Sequence, residues 1–121
     1  MSDSSIEKLK SKIQIGRVFK KGRSVKSGVL VMHFIEDDTE QNNIHIGVSV
    51  SKRFVPLAFR RNRLKRQIRA IIRERQREVV EVLRPGFYMI LYKGTVVVET
   101  DILSRSLRGL LGNSSDQSKN T

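Results

Sequence analysis

The sequence predicts an α/β fold, an α+β two-layer sandwich in which a small mixed sheet of about four strands is packed by helices. Three observations carry this. Residues 44–51 alternate strictly, with Ile44, Ile46, Val48 and Val50 on one side and His45, Gly47, Ser49 and Ser51 on the other. That is the pattern of a half-buried strand with a small, polar outer face. Residues 58–82 carry apolar positions at helical spacing, between Pro56 and the stop signal Arg84-Pro85-Gly86. Leu103, Leu107, Leu110 and Leu111 then recur at i, i+4, i+7 and i+8, a second amphipathic helix. Periods of two and of 3.6 in alternation give a sheet with helices laid on it.

Along the chain, residues 1–10 are mixed polar and read as a flexible N-terminus. Residues 12–21 predict a short helix that ends at Gly22 and is weakened by Gly16 inside it. Residues 28–35 are β-rich, with Val29, Leu30, Val31, Phe34 and Ile35, and the polar run 36–43 reads as a hairpin-type loop into the alternating strand. After the central helix, 87–92 predicts a buried strand and 94–98 a turn with more extended chain. Thr100 and Asp101 supply an N-cap and an acidic first turn for the last helix, and Gly112 stops it. The tail 113–121 is rich in Ser, Asn, Gln and Lys and holds too little apolar surface to offset the entropy of ordering. One domain over 11–112 with a disordered tail is therefore expected, and no internal repeat is visible.

Size and composition narrow the function. At 121 residues the chain is long enough to close one modest core. Cysteine is absent, which excludes a disulfide framework, a thiolate metal site and a Cys nucleophile. No apolar run approaches the roughly 18–20 residues of a membrane span, and Met1-Ser2-Asp3-Ser4-Ser5 is too polar for a signal peptide. A cytoplasmic protein with no membrane partner and no small-molecule substrate is expected.

The formal net charge is +12 and the pI about 10.8. Residues 52–77 hold eleven Lys/Arg and one acid, so nearly all of the excess lies on one segment. Advancing about 100° per residue from Leu64 places Ile68, Ile71, Ile72 and Val79 in one quadrant of the central helix. Arg63, Arg66, Arg69, Arg73 and Arg77 fall opposite, together with Asn62. A solvated helix face would alternate signs. Here Arg69–Arg73 and Arg73–Arg77 are like-charge i,i+4 pairs, and no acid occurs between Lys52 and Arg73. Guanidinium forks bond phosphates bidentately and stack on bases, so the excess of Arg over Lys favours a nucleic acid. An anionic membrane is the weaker partner, because the basic face shows no interleaved Trp or Phe wedges.

The stretch Gly47-Val48-Ser49-Val50-Ser51-Lys52-Arg53, a short Pro-containing connection and then Arg61-Asn62-Arg63-Leu64-Lys65-Arg66-Gln67-Ile68-Arg69 closely resembles the bacterial ribonuclease P protein family. The resemblance extends upstream through Val18-Phe19-Lys20-Lys21-Gly22-Arg23-Ser24 and downstream to the last helix, about residues 9–112. It implies a protein that binds a large catalytic RNA and the 5′ leader of precursor tRNA, promoting endonucleolytic removal of the leader. The RNA does the hydrolysis with Mg²⁺, bound mainly through the RNA, and no catalytic or metal-ligating protein residue is implied. One protein per ribonuclease P RNA is expected, and the family's β-α-β crossover is left-handed, against the usual rule.

By position, the resemblance implies that Arg61, Asn62, Arg63, Lys65, Arg66 and Arg69, with Arg73 beyond them, face the catalytic RNA. Phe19, His33, Ser49 and Ser51 would line the leader cleft, and Lys52 and Arg53 would sit at the strand end beside substrate and RNA. The chain departs from the family pattern at Ile15 and His33, where aromatics are common, and in its connection Phe54-Val55-Pro56-Leu57.

Other constellations carry less. His33 and His45 lie far apart without a metal-ligand spacing, and the acidic run from Glu36 to Glu40 reads as a solvated loop. Tyr88 and Tyr92 share one strand face and read as core or rim. Two rival functions are a ribosomal or other structural RNA-binding protein using the same helix, and an autonomous metal-dependent endonuclease using Glu36, Asp37 or His33. The second lacks paired carboxylates or a His/Lys constellation for phosphodiester cleavage.

Overall fold

The alternating segment forms the strand around which the domain is arranged. In the computed structural model, which describes residues 5–40, 43–94 and 99–119, with side chains to 114 in the last stretch, the strands are β1 (Ser5–Lys8), β2 (Arg23–Ser27), β3 (Leu30–Glu36), β4 (Asn43–Val50) and β5 (Gly86–Tyr92). The helices are α1 (Lys12–Lys21), α2 (Ala58–Glu74), α3 (Gln76–Val82) and α4 (Thr100–Lys119), with a single 3₁₀ turn at Asp38–Glu40. The five strands form one mixed sheet in the order β1-β4-β5-β3-β2. β4 pairs in parallel with both β1 and β5, whereas β5 and β3, and β3 and β2, are antiparallel.

Each face of the sheet has its own packing. Ile44, Ile46, Val48 and Val50 point inward with Met32 and Phe34 of β3 and Tyr88, Ile90 and Tyr92 of β5. This surface is covered by Leu64, Ile68, Ile71 and Ile72 of α2, Val79 of α3, and Leu103, Leu107, Leu110 and Leu111 of α4. Both tyrosines are buried. The Tyr88 hydroxyl donates to the Arg84 carbonyl at 2.6 Å, and burial pushes its pKa up. The opposite face is covered only in part, by α1, whose Val18 joins Leu9, Phe87 and Met89 in a smaller cluster with Ile15 against it.

The sheet has five strands rather than about four, and the additional ones come from segments with weak patterns. Residues 5–9, expected to be loose, pair along β4: Ile6 lies opposite Ile44, the Leu9 N–H donates to the Ile46 carbonyl at 3.0 Å, and Leu9 is buried. β2 and β3 form a hairpin through Gly28, whose φ of 57° suits a residue without a Cβ. The polar run after β3 is not a hairpin, because β5 lies between β3 and β4.

The expected helix 58–82 is broken at Arg75 into α2 and α3. The Arg75 guanidinium donates to Ser104 Oγ of α4 at 3.0 and 3.2 Å. The last helix does not stop at Gly112. It continues to Lys119 through buried Ser114, with Asn113 Nδ2 donating to the Lys26 carbonyl at 2.9 Å. Of the extended segment expected over 94–98, residues 95–98 lie outside the described residues.

Candidate nucleic-acid interface

Two surfaces meet where β4 runs into α2. The first is the part of the outer sheet face that α1 leaves uncovered. Strand register places Lys26, Val31, Leu91 and Ser49 in one row across β2, β3, β5 and β4, with Ser24, His33, Met89 and Gly47 in the next. Lys26 is exposed, and Val31, Leu91 and Ser49 are half-buried, so the first row is open. The second row is roofed by α1. A Cβ on Gly47 would come within 2.5 Å of Met89 Sδ, so this glycine permits close packing rather than space for a ligand. His45, further down the same face, stacks on Phe87 at 5.0 Å between ring centroids, and its Nε2 lies 3.0 Å from Glu40 Oε2.

Phe19 sits at the mouth of this opening. It is 43% exposed, and its ring meets that of His33 at 5.0 Å with a 55° tilt. The His33 imidazole is held below its usual pKa, first by burial and then by the nearby charge of Lys93, so it is neutral at pH 7. The cleft thus pairs an aromatic with a neutral imidazole at its wall and has a partly apolar floor, a surface suited to unpaired bases.

Residues 51–57 carry the chain from this face to α2. The Ser51 carbonyl accepts from the Val55 N–H at 2.9 Å, and its hydroxyl accepts from the Arg53 N–H at 3.1 Å. β4 ends at Val50, so Ser51 stands in this turn and not on the strand face where the alternation placed it. Lys52 and Arg53 are exposed on the same turn, and Val55 beneath is buried.

The second surface is the outer side of α2. Asn62, Arg63, Arg66 and Arg73 are exposed, and Lys65 and Arg69 are half-buried. Arg69 and Arg73 overhang a groove of about 300 Å³ whose floor includes Ile6, Ile46 and Val48. Arg61 behaves differently: its Nη1 donates to the Val55 carbonyl at 3.0 Å and to the Pro56 carbonyl at 2.7 Å. It clamps the connection onto the helix start and shares a helix side with Leu64 and Ile68.

Among the described residues, no carboxylate lies within ion-pair distance of Lys52, Arg53, Arg63, Lys65, Arg66, Arg69 or Arg73. Several acids are paired elsewhere, Asp37 with Arg17, Glu36 with Arg23 and Arg84, and Glu78 with Arg75, while Glu7 lines the same groove as Arg69 and Arg73 without an ion pair to either. Also among the described residues, no group of three or more His, Cys, Asp or Glu side chains is placed to hold a metal ion.

Sequence reasoning missed Phe59, which is 65% exposed at the head of the basic side of α2, next to Leu57 at 48%. Its signal was present: it lies four residues before Arg63 and seven before Arg66. The basic face therefore does carry an interleaved aromatic.

The Ribonuclease P family model matches residues 4–114. The ribonuclease P protein component of Lactobacillus helveticus is 38% identical over 72 residues, covering 60% of this chain and 58% of that protein. That of Bacillus cereus is 39% identical over 72 residues, covering 60% and 61%. The alignments thus span about three-fifths of these relatives' lengths. The ribonuclease P protein of Thermotoga maritima superposes with a TM-score of 0.74 at 22% identity, over 88% of this chain and 96% of that one, a likeness of fold.

Proposed function

Since this chain belongs to the bacterial ribonuclease P protein family, we propose that it is the protein subunit of ribonuclease P, acting in tRNA 5′ maturation. In this reading it binds the catalytic RNA through α2 and the single-stranded 5′ leader of precursor tRNA in the cleft beside α1. Endonucleolytic removal of the leader is performed by the RNA. In the same reading, Mg²⁺ is bound mainly through the RNA partner and its phosphates.

The observation that carries the proposal is the run of cations without carboxylate partners on α2, joined through Lys52 and Arg53 to an open sheet face with Phe19 and His33 at its wall. Arg63, Arg66, Arg69 and Arg73 neutralise phosphates of the docked RNA, with Asn62 and Lys65 beside them. Phe19 stacks on a leader base, while Ser49 and the neutral His33 offer hydrogen bonds to it. Lys52 and Arg53 meet the backbone where leader and catalytic RNA approach one another. The protein raises local affinity for leader-bearing substrate and supplies no reacting group. A cytoplasmic site of action fits this partner set. No helix among the described residues is long and apolar enough to cross a membrane.

The test is single-turnover cleavage of a leader-bearing precursor tRNA by a bacterial ribonuclease P RNA at low Mg²⁺, with and without this chain. Strong stimulation by the chain, and no cleavage by the chain alone, is the expected result. Tight RNA binding without stimulation overturns the subunit reading and leaves a structural RNA-binding domain. Metal-dependent cleavage by the chain alone makes it a nuclease.

A further inference from the structure

We infer that Phe59 is a base-stacking residue of the RNA-docking face, receiving an unpaired nucleobase of the catalytic RNA. This rests on the proposal that α2 docks that RNA. A phenylalanine 65% exposed leaves most of its apolar surface in water. It stands one turn ahead of Asn62 and Arg63 and two ahead of Arg66, all exposed, so the aromatic and the cations form one continuous strip. The Arg60 guanidinium carbon lies 5.8 Å from the ring centroid, within cation–π range, and Leu57 extends the apolar patch. The first turn of α2 contains no acid.

The charge around the ring selects the occupant. A ligand reaching Phe59 must cross a field made by Arg60, Arg63 and Arg66, which favours a phosphate-linked partner. A planar apolar ring among those cations suits a base held between phosphate contacts. A base in a continuous duplex has its faces covered by its neighbours, so the partner is an unpaired or bulged nucleotide. The ring adds stacking and no charge, and this separates it experimentally from the arginines.

The chain has no tryptophan, so Phe59→Trp makes a single emission reporter. Binding of ribonuclease P RNA is measured across a salt series for the full-length wild type, Phe59→Ala, Phe59→Trp and Arg63→Ala/Arg66→Ala, with circular dichroism to verify folding. Phe59→Ala is expected to weaken binding roughly tenfold with an unchanged salt slope. Phe59→Trp is expected to retain affinity, its emission quenched on RNA addition. Wild-type affinity of Phe59→Ala, or an unquenched indole in the complex, overturns the inference while a reduced slope in the arginine pair leaves the docking reading standing. An unchanged slope in the arginine pair removes both. If Phe59→Ala loses only adsorption to phosphatidylglycerol vesicles and keeps its RNA affinity, the patch belongs to a membrane surface and the inference fails.

Discussion

One end of the sheet and the outer side of α2 treat cations in opposite ways. At the end where β3 finishes and β4 and β5 begin, Arg17 faces Asp37 at 3.5 Å, Glu36 lies between Arg23 and Arg84, and His45 meets Glu40. Along α2, which starts where β4 ends and runs back to set Arg69 and Arg73 beside Ile6 and Ile46, the exposed cations from Lys52 to Arg73 have no carboxylate within ion-pair distance among the described residues. Isolated surface ion pairs contribute little, about 0–1 kcal/mol each, so the paired end is not a large source of stability. The contrast matters for what it leaves over. A chain that neutralises its charges at one end of the sheet and accepts like-charge repulsion along α2 is arranged for an external polyanion on that helix.

The sharpest way to break this comparison is to reverse the charge on α2. Arg63→Glu/Arg66→Glu is expected to lower affinity for ribonuclease P RNA by on the order of 100-fold at moderate salt, measured by filter binding, because two phosphate contacts become repulsions. Phe19→Ala acts on the cleft instead. It is expected to weaken leader-bearing precursor tRNA roughly tenfold in the holoenzyme and to spare mature tRNA and the bare catalytic RNA. Equal losses on precursor and mature tRNA would remove Phe19 from the leader path.

Smaller effects sharpen the contrast from the paired end. Glu36→Gln leaves Arg23 and Arg84 without their shared carboxylate, and Glu36 is mostly buried. A loss of about 1–2 kcal/mol in urea unfolding is expected, with no change in the salt slope of RNA binding. Arg73→Ala should do the reverse. Removing the i,i+4 like-charge neighbour of Arg69 within α2 is expected to stabilise the free protein by a few tenths of a kcal/mol while weakening RNA binding.

The pH dependence of the cleft follows from His33. Its folded pKa lies below the usual 6.5, so the unfolded chain takes up the proton first, and the stability present above that value is lost as pH falls through the folded pKa. A leader phosphate would offset the repulsion from Lys93 and favour the protonated ring. Preference for leader-bearing substrate is therefore expected to rise modestly as pH drops below 6.5, and His33→Gln to flatten the rise. A flat wild-type profile would place the phosphates away from this imidazole.

Much of this architecture was legible in the residues, and what was not has identifiable causes. β4, α2 and the start of α4 announce themselves through their periods, β5 through a continuous apolar run after Pro85-Gly86, and α1 more weakly through its stop at Gly22. β1 and β2 do not. Ser5–Lys8 and Arg23–Ser27 each hold one apolar residue, Ile6 and Val25, too few to show an alternation, and their pairing is decided by the edges of β4 and β3.

The break at Arg75 was hidden because the apolar spacing continues through Val79, and the bonds from Arg75 to Ser104 come from a helix distant in sequence. The site shows the same division. The basic stripe could be read from helical spacing alone, whereas the clamp made by Arg61 depends on where the carbonyls of Val55 and Pro56 point. Gly47 belongs by alternation to the small outer face of β4, and the sequence does not show that Met89 and Leu9 pack against it there.

The central claim is that charges without partners on α2, and not charge in general, hold the RNA. The most direct measurement is the salt dependence of ribonuclease P RNA binding for the wild type, Arg63→Ala/Arg66→Ala and Arg23→Ala in parallel. The account predicts that the α2 pair flattens the slope by about 0.7–0.9 of a unit per lost phosphate contact, while Arg23→Ala, which removes a cation already paired with Glu36, leaves it unchanged. Equal flattening by both variants, or none by the α2 pair, would contradict it.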